Sequence, residues 1–483
     1  MAHGAPEGGV AAVREIKKNA RAVLCAVLVM FIALGGYFFY AVYNYGSRWF
    51  TTPYNTRLRA AKKTVIAGDI LDRNGAVLVT SDADGERVYP TDRDTRKAVS
   101  HVIGDANAQV PTGAETFLAA DLLGFNANIF DRAAQIFQQK RKGSDVTLTI
   151  DAALQTYIAE VFPDENDGAV AVINYETGEV LALYSSPEYD AKHPENFEDL
   201  EQDNGVLLNR ATQGRYAPGS IFKIVTLACA LENIPGVTER TFTCEGTYQI
   251  DEENRLTDTD GEGHGTITLK EAFTKSCNIA FGQLAMELGE GKLRATAEKM
   301  GFNGNFLFDD LIVYESLFPR EIPDAGELAW TGVGQGRLTA VPLHMAMIAG
   351  AVGNGGWMVE PQLVMTVSDS AGGVKNSLNT KNYLQCFSPQ NAAILEEYML
   401  ATVAEGTGAR AAVEGHSIAG KTGTAQVNSS GGRYSPHAWY VGYCAEEEHP
   451  YAIAVVVENG GSGGSVAGRL AGKIMKKAID IVE

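Results

Sequence analysis

From Ala22 to Ser47 the chain carries no charged residue, and the run Val23-Leu-Cys-Ala-Val-Leu-Val-Met-Phe-Ile-Ala-Leu34 is apolar throughout. A helix of about 20 such residues crosses a hydrocarbon core of about 30 Å. Residues 22–47 are therefore expected to form a transmembrane helix. Tyr37, Tyr40, Tyr43, Tyr45 and Trp49 collect at one end, where amphipathic rings favour the headgroup level. Arg14, Lys17, Lys18 and Arg21 precede the run and outweigh Glu7 and Glu15. By the positive-inside rule, residues 1–21 are then cytoplasmic and residues 48–483 lie outside. The alternative is a cleaved signal peptide, whose apolar core is about 7–15 residues long and ends in small residues. Here the core is longer and ends in bulky aromatics, so a single-pass anchor in the cell membrane is expected.

The remainder reads as a folded chain of two or three domains, with 45% apolar residues among 483. Its 40 Lys and Arg stand against 59 Asp and Glu, a net charge of −19 that argues against nucleic acid as a partner. Cys25 lies in the anchor, leaving Cys229, Cys244, Cys277, Cys386 and Cys444 outside. An odd set cannot pair fully within one chain, and no C-x-x-C spacing points to zinc or redox work. These cysteines read as small core residues.

Residues 48–145 contain short strand-like pieces. Val65–Leu71 and Ala76–Val79 flank the turn Asp72-Arg-Asn-Gly75 and read as a hairpin, whereas Asp82–Arg96 reads as a charged, exposed loop. After Ser144 come the strand Val146–Ile150, a helix begun by Asp151, and a second hairpin, Ala169–Ile173 and Val180–Tyr184. Three more strands are expected at Ser417–Val427, Ala438–Cys444 and Tyr451–Glu458, then a helix from Val466 to Val482. Helical periodicities such as Ile279–Leu288 and Pro342–Val352 fill the interval. The pattern predicts an α+β fold: one five-stranded antiparallel sheet with a helical subdomain inserted between its second and third strands.

Three short motifs carry the chemistry. Ser220-Ile-Phe-Lys223 stands at the start of the apolar helix Ile221–Leu231. Positions i and i+3 share a helix face, and a buried lysine loses its charge, so Lys223 can take the proton of a Ser220 nucleophile. The plainer reading makes Ser220 a helix cap. Ser276-Cys277-Asn278 precedes the helix Ile279–Leu288; the hydroxyl can relay a proton and the amide can bind a peptide backbone. Here too a simple N-cap is the alternative. Ser377-Leu378-Asn379 has the same pattern, but lies in the polar stretch Ser370–Asn382 with no helix to fix it. In Lys421-Thr422-Gly423-Thr424, Gly423 lets another backbone approach the strand, and the hydroxyls and Lys421 are available to a carboxylate. The backbone N–H groups of Ser220 and Thr424 are candidate oxyanion donors.

Taken together, these motifs resemble those of the penicillin-interacting serine transpeptidases and β-lactamases. The chain is similar to a class B penicillin-binding protein over residues 60–483. Supporting stretches are Asp69-Ile-Leu-Asp-Arg-Asn-Gly75, Asn209–Ser220, Lys275–Asn278, Gly334-Gln-Gly336, Thr339–Ala346, Gly420–Gln426 and His437–Gly442. The resemblance implies the penicillin-binding/serine β-lactamase-like fold over residues 146–483, preceded by a small, mostly β pedestal at 48–145. It implies D,D-transpeptidation of peptidoglycan stem peptides through an acyl-enzyme on Ser220. Lys223 would be the base, Ser276 the relay, Asn278 a substrate ligand, and Lys421 and Thr422 the carboxylate site, beside Gly423 and Thr424. A β-lactam would acylate Ser220 and remain. Neither a metal nor a cofactor is implied.

Residues 48–145 are too few for an additional glycosyltransferase domain, so a membrane-embedded glycan polymerase is an expected partner. Ala67-Gly68 stands where the resemblance would have Arg-Gly. Rival readings are a D,D-carboxypeptidase or β-lactamase using water as acceptor, and a non-catalytic β-lactam-binding scaffold.

Overall fold

The computed structural model describes residues 7–50, 65–107, 109–125, 141–193, 205–258, 261–426 and 436–482. An N-terminal helix runs from Glu7 to Phe50 and contains the expected span. Its apolar stretch Arg14–Val42 is long enough to cross a bilayer, and none of its most apolar window is buried against the protein. The side chains of Tyr43, Tyr45 and Trp49 lie outside the described residues.

The centre of the fold is a five-stranded antiparallel sheet of β1 (Gly168–Asn174), β2 (Val180–Ser186), β3 (Ile418–Ala425), β4 (His437–Cys444) and β5 (Tyr451–Val457), in the order β3-β4-β5-β1-β2. This is the predicted sheet, and the interval between β2 and β3 holds the helical subdomain. Val427, the last residue of the third expected strand, lies outside the described residues.

Both faces of the sheet are covered, which explains why its strands are apolar without strict alternation. Ala169, Ala171 and Ile173 pack into the core that includes the uniformly buried helix Pro342–Gly353. Val170 and Val172 face the opposite core, with the helices Ala152–Val161 and Arg469–Ile481. The latter helix begins three residues later than the expected Val466, because Gly464–Gly468 forms a wider π turn.

A second, six-stranded sheet joins the N-terminal part to the rest. Its order is Val374–Ser377, Val364–Ser368, Asp145–Leu148, Ile70–Leu71, Val77–Ser81, Arg87–Val88. The predicted first hairpin is here, with Ile70 opposite Val79. Its first strand is divided, however: Val65–Ile66 pairs instead with Arg141–Lys142. Gly68 marks the break, because a Cβ there would meet the Ser144 carbonyl oxygen at 1.8 Å.

The stretch Asp82–Arg96 is largely exposed, as expected, but it is not all loop. It contains the strand Arg87–Val88 and the start of the helix Arg93–Ala98. Arg96 is buried, with its guanidinium on Asp190 (2.7 Å) and on the Pro90 carbonyl (2.7 Å). A charge-rich stretch reads as solvated until its distant counter-charge is known. Further short helices follow at Ser100–Ile103, Ala114–Phe117 and Ala119–Leu122.

Candidate active site

The turn carrying Ser220 is fixed by backbone before any side chain acts. Gly219–Phe222 is a 3-10 turn that leads into α1 (Lys223–Asn233), so Ser220 lies inside that turn, two residues before the cap position of α1 at Phe222. The Gly219 N–H donates to the Gly334 carbonyl (2.8 Å), Tyr216 and Ala340 exchange backbone bonds, and the Trp439 indole N–H donates to the Ala217 carbonyl (3.0 Å). Gly219 has φ +58 and Gly334 φ +97. A Cβ on Gly334 would lie 1.9 Å from the Gly219 carbonyl oxygen.

The second motif forms a sharper turn. Ser276 has φ +62, a strained value for a residue with a side chain, and such strain gathers at functional sites. The cap of α2 (Asn278–Lys299) is neither Ser276 nor Asn278, as a simple capping reading would have it. Cys277 takes that place, its sulfur accepting the Ala280 N–H at 3.5 Å. Ser276 and Asn278 are thereby left to face the lysines.

Lys223 and Lys421 are both fully buried. Lys223 Nζ donates to Asn278 Oδ1 (2.8 Å) and to the Ser276 carbonyl (2.5 Å), and lies 3.2 Å from Ser276 Oγ. Lys421 Nζ lies 2.9 Å from the same hydroxyl. Burial pushes the Lys223 amine down to about 8, although Asp258 and Cys277 act in the opposite sense. Burial, and then the charge of Lys223, hold Lys421 well below the usual lysine range. Two ammonium groups cannot both keep their protons around one hydroxyl in a dry site. The arrangement therefore supplies a neutral amine beside Ser276.

These groups back onto a cleft of about 1010 Å³ lined by Ser220, Ser276, Asn278, Thr422 and Thr424, among others. Lys223 and Lys421 lie behind that wall, beside Ser276, while Thr422 and Thr424 face the cleft. β3 is an edge strand of the sheet, open to a peptide laid along it. On the Cβ side of Gly423 the backbone that approaches is the protein's own. A Cβ there would meet the Pro218 carbonyl oxygen at 2.8 Å, beside the turn that carries Ser220. Ser377 belongs to the six-stranded sheet and does not line the cleft.

Sequence reasoning missed several residues around this cleft. Thr407, whose hydroxyl lies 2.6 Å from that of Thr422, comes from a connection with no recognised motif. Arg410, Lys275 and Trp330 also line the cleft. At its wall, where Asp258 also lines the cleft, Cys244, Asp258, His264 and Cys277 place their ligand atoms within 4.8 Å of one another. Asp258 Oδ2 lies 3.3 Å from Cys244 Sγ and 3.1 Å from His264 Nδ1. Two thiols, an imidazole and a carboxylate, three of them buried, are donor types that would suit a zinc-class ion. No pair in this set has C-x-x-C spacing; only the fold brings the four together.

Residues 168–476 match the family model described as the penicillin binding protein transpeptidase domain. The chain belongs to this family. This transpeptidase-family chain is 32% identical over 376 residues to the peptidoglycan D,D-transpeptidase PbpA of Mycolicibacterium smegmatis, covering 74% of its own length and 76% of the relative's. It is 36% identical over 336 residues to PbpA of Mycobacterium tuberculosis, covering 65% and 67%. Among solved structures it resembles M. tuberculosis penicillin-binding protein A as a ceftriaxone acyl-enzyme, with a TM-score of 0.79, 30% identity, and coverage of 86% and 99%.

Proposed function

We propose that this class B penicillin-binding protein is a peptidoglycan D,D-transpeptidase working through a serine acyl-enzyme that β-lactams trap. The observation that carries the reading is the convergence of Ser276 Oγ, Lys223 and Lys421 behind a cleft that Ser220 lines. Ser220 Oγ attacks the carbonyl between two terminal D-alanines, losing its proton to Lys223. Backbone N–H groups of Ser220 and Thr424 bind the developing oxyanion. Ser276 passes a proton to the departing D-alanine, and the amine of a neighbouring strand resolves the ester. Asn278 holds the donor peptide, and Thr422 and Thr424 hold its terminal carboxylate.

The anchor supports a membrane location, and the basic residues before the span support a cytoplasmic N-terminus with the catalytic part outside. Glycan polymerisation then falls to a membrane-embedded partner. The test uses the full chain in detergent micelles with a fluorescent penicillin and an intact-mass readout. A stable adduct absent from Ser220→Ala is expected. Loss of the adduct within seconds would point to a lactamase, and no adduct to a scaffold.

A zinc-class ion on Cys244, Asp258, His264 and Cys277 would brace the Ser276–Asn278 turn, because Asp258 Oδ1 accepts the Asn278 N–H at 3.2 Å. The ion would supply charge neutralisation at that brace. Purified protein is expected to carry about one equivalent of zinc by elemental analysis, and Cys244→Ser to lose it with a lowered Tm. Metal-free protein with an unchanged Tm on chelation would reject the brace.

A further inference from the structure

The segment Gly406–Arg410 lines the cleft between the second and third motifs, with its backbone closely packed at the glycines and Thr407 and Arg410 exposed. The Thr407 N–H donates to the Thr274 carbonyl (3.3 Å), two residues before Ser276. Its hydroxyl lies 2.6 Å from the Thr422 hydroxyl on β3. Glycines on three sides make this approach possible. A Cβ on Gly406 would meet the Thr274 carbonyl oxygen at 2.6 Å, one on Gly408 the Thr402 carbonyl oxygen at 3.2 Å, and one on Gly464 the Thr407 carbonyl oxygen at 2.5 Å. A single threonine thus links the element before Ser276 to the K-T-G strand.

The pair of hydroxyls has one arrangement that suits an anion. Each hydroxyl has one proton and can both donate and accept. When Thr407 donates to Thr422 Oγ1, the Thr422 proton is free to point into the cleft, and the accepted bond strengthens it as a donor. Without Thr407, the Thr422 hydroxyl rotates freely among its acceptors. Arg410 follows in the 3-10 turn Ala409–Ala411, and Lys275 lies across the same segment; both are exposed cations on the cleft wall. Neither has an ion-pair partner among the described residues. Their field favours an anionic group at this end of the cleft.

We propose that Thr407 is a positioning residue for carboxylate recognition: it sets the Thr422 hydroxyl to donate to the terminal carboxylate of the donor peptide or β-lactam, with Arg410 and Lys275 drawing that carboxylate in. The proposal rests on the transpeptidase reading, and on Thr422 as the carboxylate ligand within it.

The test compares acylation of the full chain in detergent micelles by an acyl-D-alanyl thioester analogue with a free carboxylate, and by its methyl ester. Wild type is expected to prefer the acid. Thr407→Val should lower the second-order acylation constant for the acid about 10-fold, as for loss of one hydrogen bond supporting a charged group, and leave the ester within about 2-fold. Thr407→Ser should restore the acid preference. Arg410→Gln should lower the acid constant at low salt and converge on wild type at high salt. A wild type indifferent to esterification would overturn the carboxylate assignment of Thr422. A wild type that discriminates, with a Thr407→Val variant that discriminates equally, would overturn the role of Thr407 alone. Equal losses on acid and ester, with no rescue by serine, would make Thr407 merely structural.

Discussion

Replacing Lys223 with alanine is expected to slow acylation of Ser220 by about 10²–10⁴-fold, the range for loss of a positioned general base. Stopped-flow acylation by a fluorescent penicillin measures it directly. The pH profile adds a second reading. If Lys223 takes the proton, wild-type acylation rises with pH and levels above about 8, where its amine is neutral. A profile already level far below that pH would pass the role to Lys421, whose amine is held well below the usual range. Stability has a related sign. Between about 8 and the ordinary 10.5 the unfolded chain holds a proton at Lys223 that the folded chain has lost. Wild type therefore gains stability as pH rises through that window, and the penalty is fully present below it. Lys223→Ala should lack this slope when Tm is followed against pH.

Gly334→Ala is expected to remove most activity without touching a reacting group. The new methyl would sit 1.9 Å from the Gly219 carbonyl oxygen, at a backbone angle, φ +97, that alanine resists. Strain of this kind costs about 1–3 kcal/mol, and displacing a nucleophile by about 1 Å costs about 10²-fold in rate. Gly236→Ala separates the two effects: its φ is +68, but nothing lies within 4 Å of the added carbon. The control should lose Tm alone, while Gly334→Ala loses both Tm and acylation. Equal acylation in the two variants would show that the Gly219–Gly334 contact does not set the nucleophile turn.

Much of the fold could be read because the central sheet is built from uninterrupted apolar runs, Ala169–Ile173 and Tyr451–Val457 among them, bounded by polar turns. Ser220, Ser276, Asn278 and the K-T-G strand were legible as spacing. Their arrangement was not. The Lys421 amine meets Ser276 across 145 residues of chain, whereas the positive φ of Ser276 and the cap supplied by Cys277 are local turn details that residue type alone does not signal. That Pro218 packs against the Cβ side of Gly423 was equally hidden, because the two lie about 200 residues apart in the chain. Arg96 looked solvated because Asp190 is remote in sequence, and Thr407 carried no signal since its partner hydroxyl belongs to another element.

The strand Asp145–Leu148 runs parallel to Ile70–Leu71 on one side and antiparallel to Val364–Ser368 on the other. A pull directed along those strands loads their backbone hydrogen bonds together, in shear, instead of opening them one at a time. The joint between the N-terminal segment and the catalytic part thus resists sliding, and tension from a membrane tether would be borne by this seam before it reached the Ser220 turn.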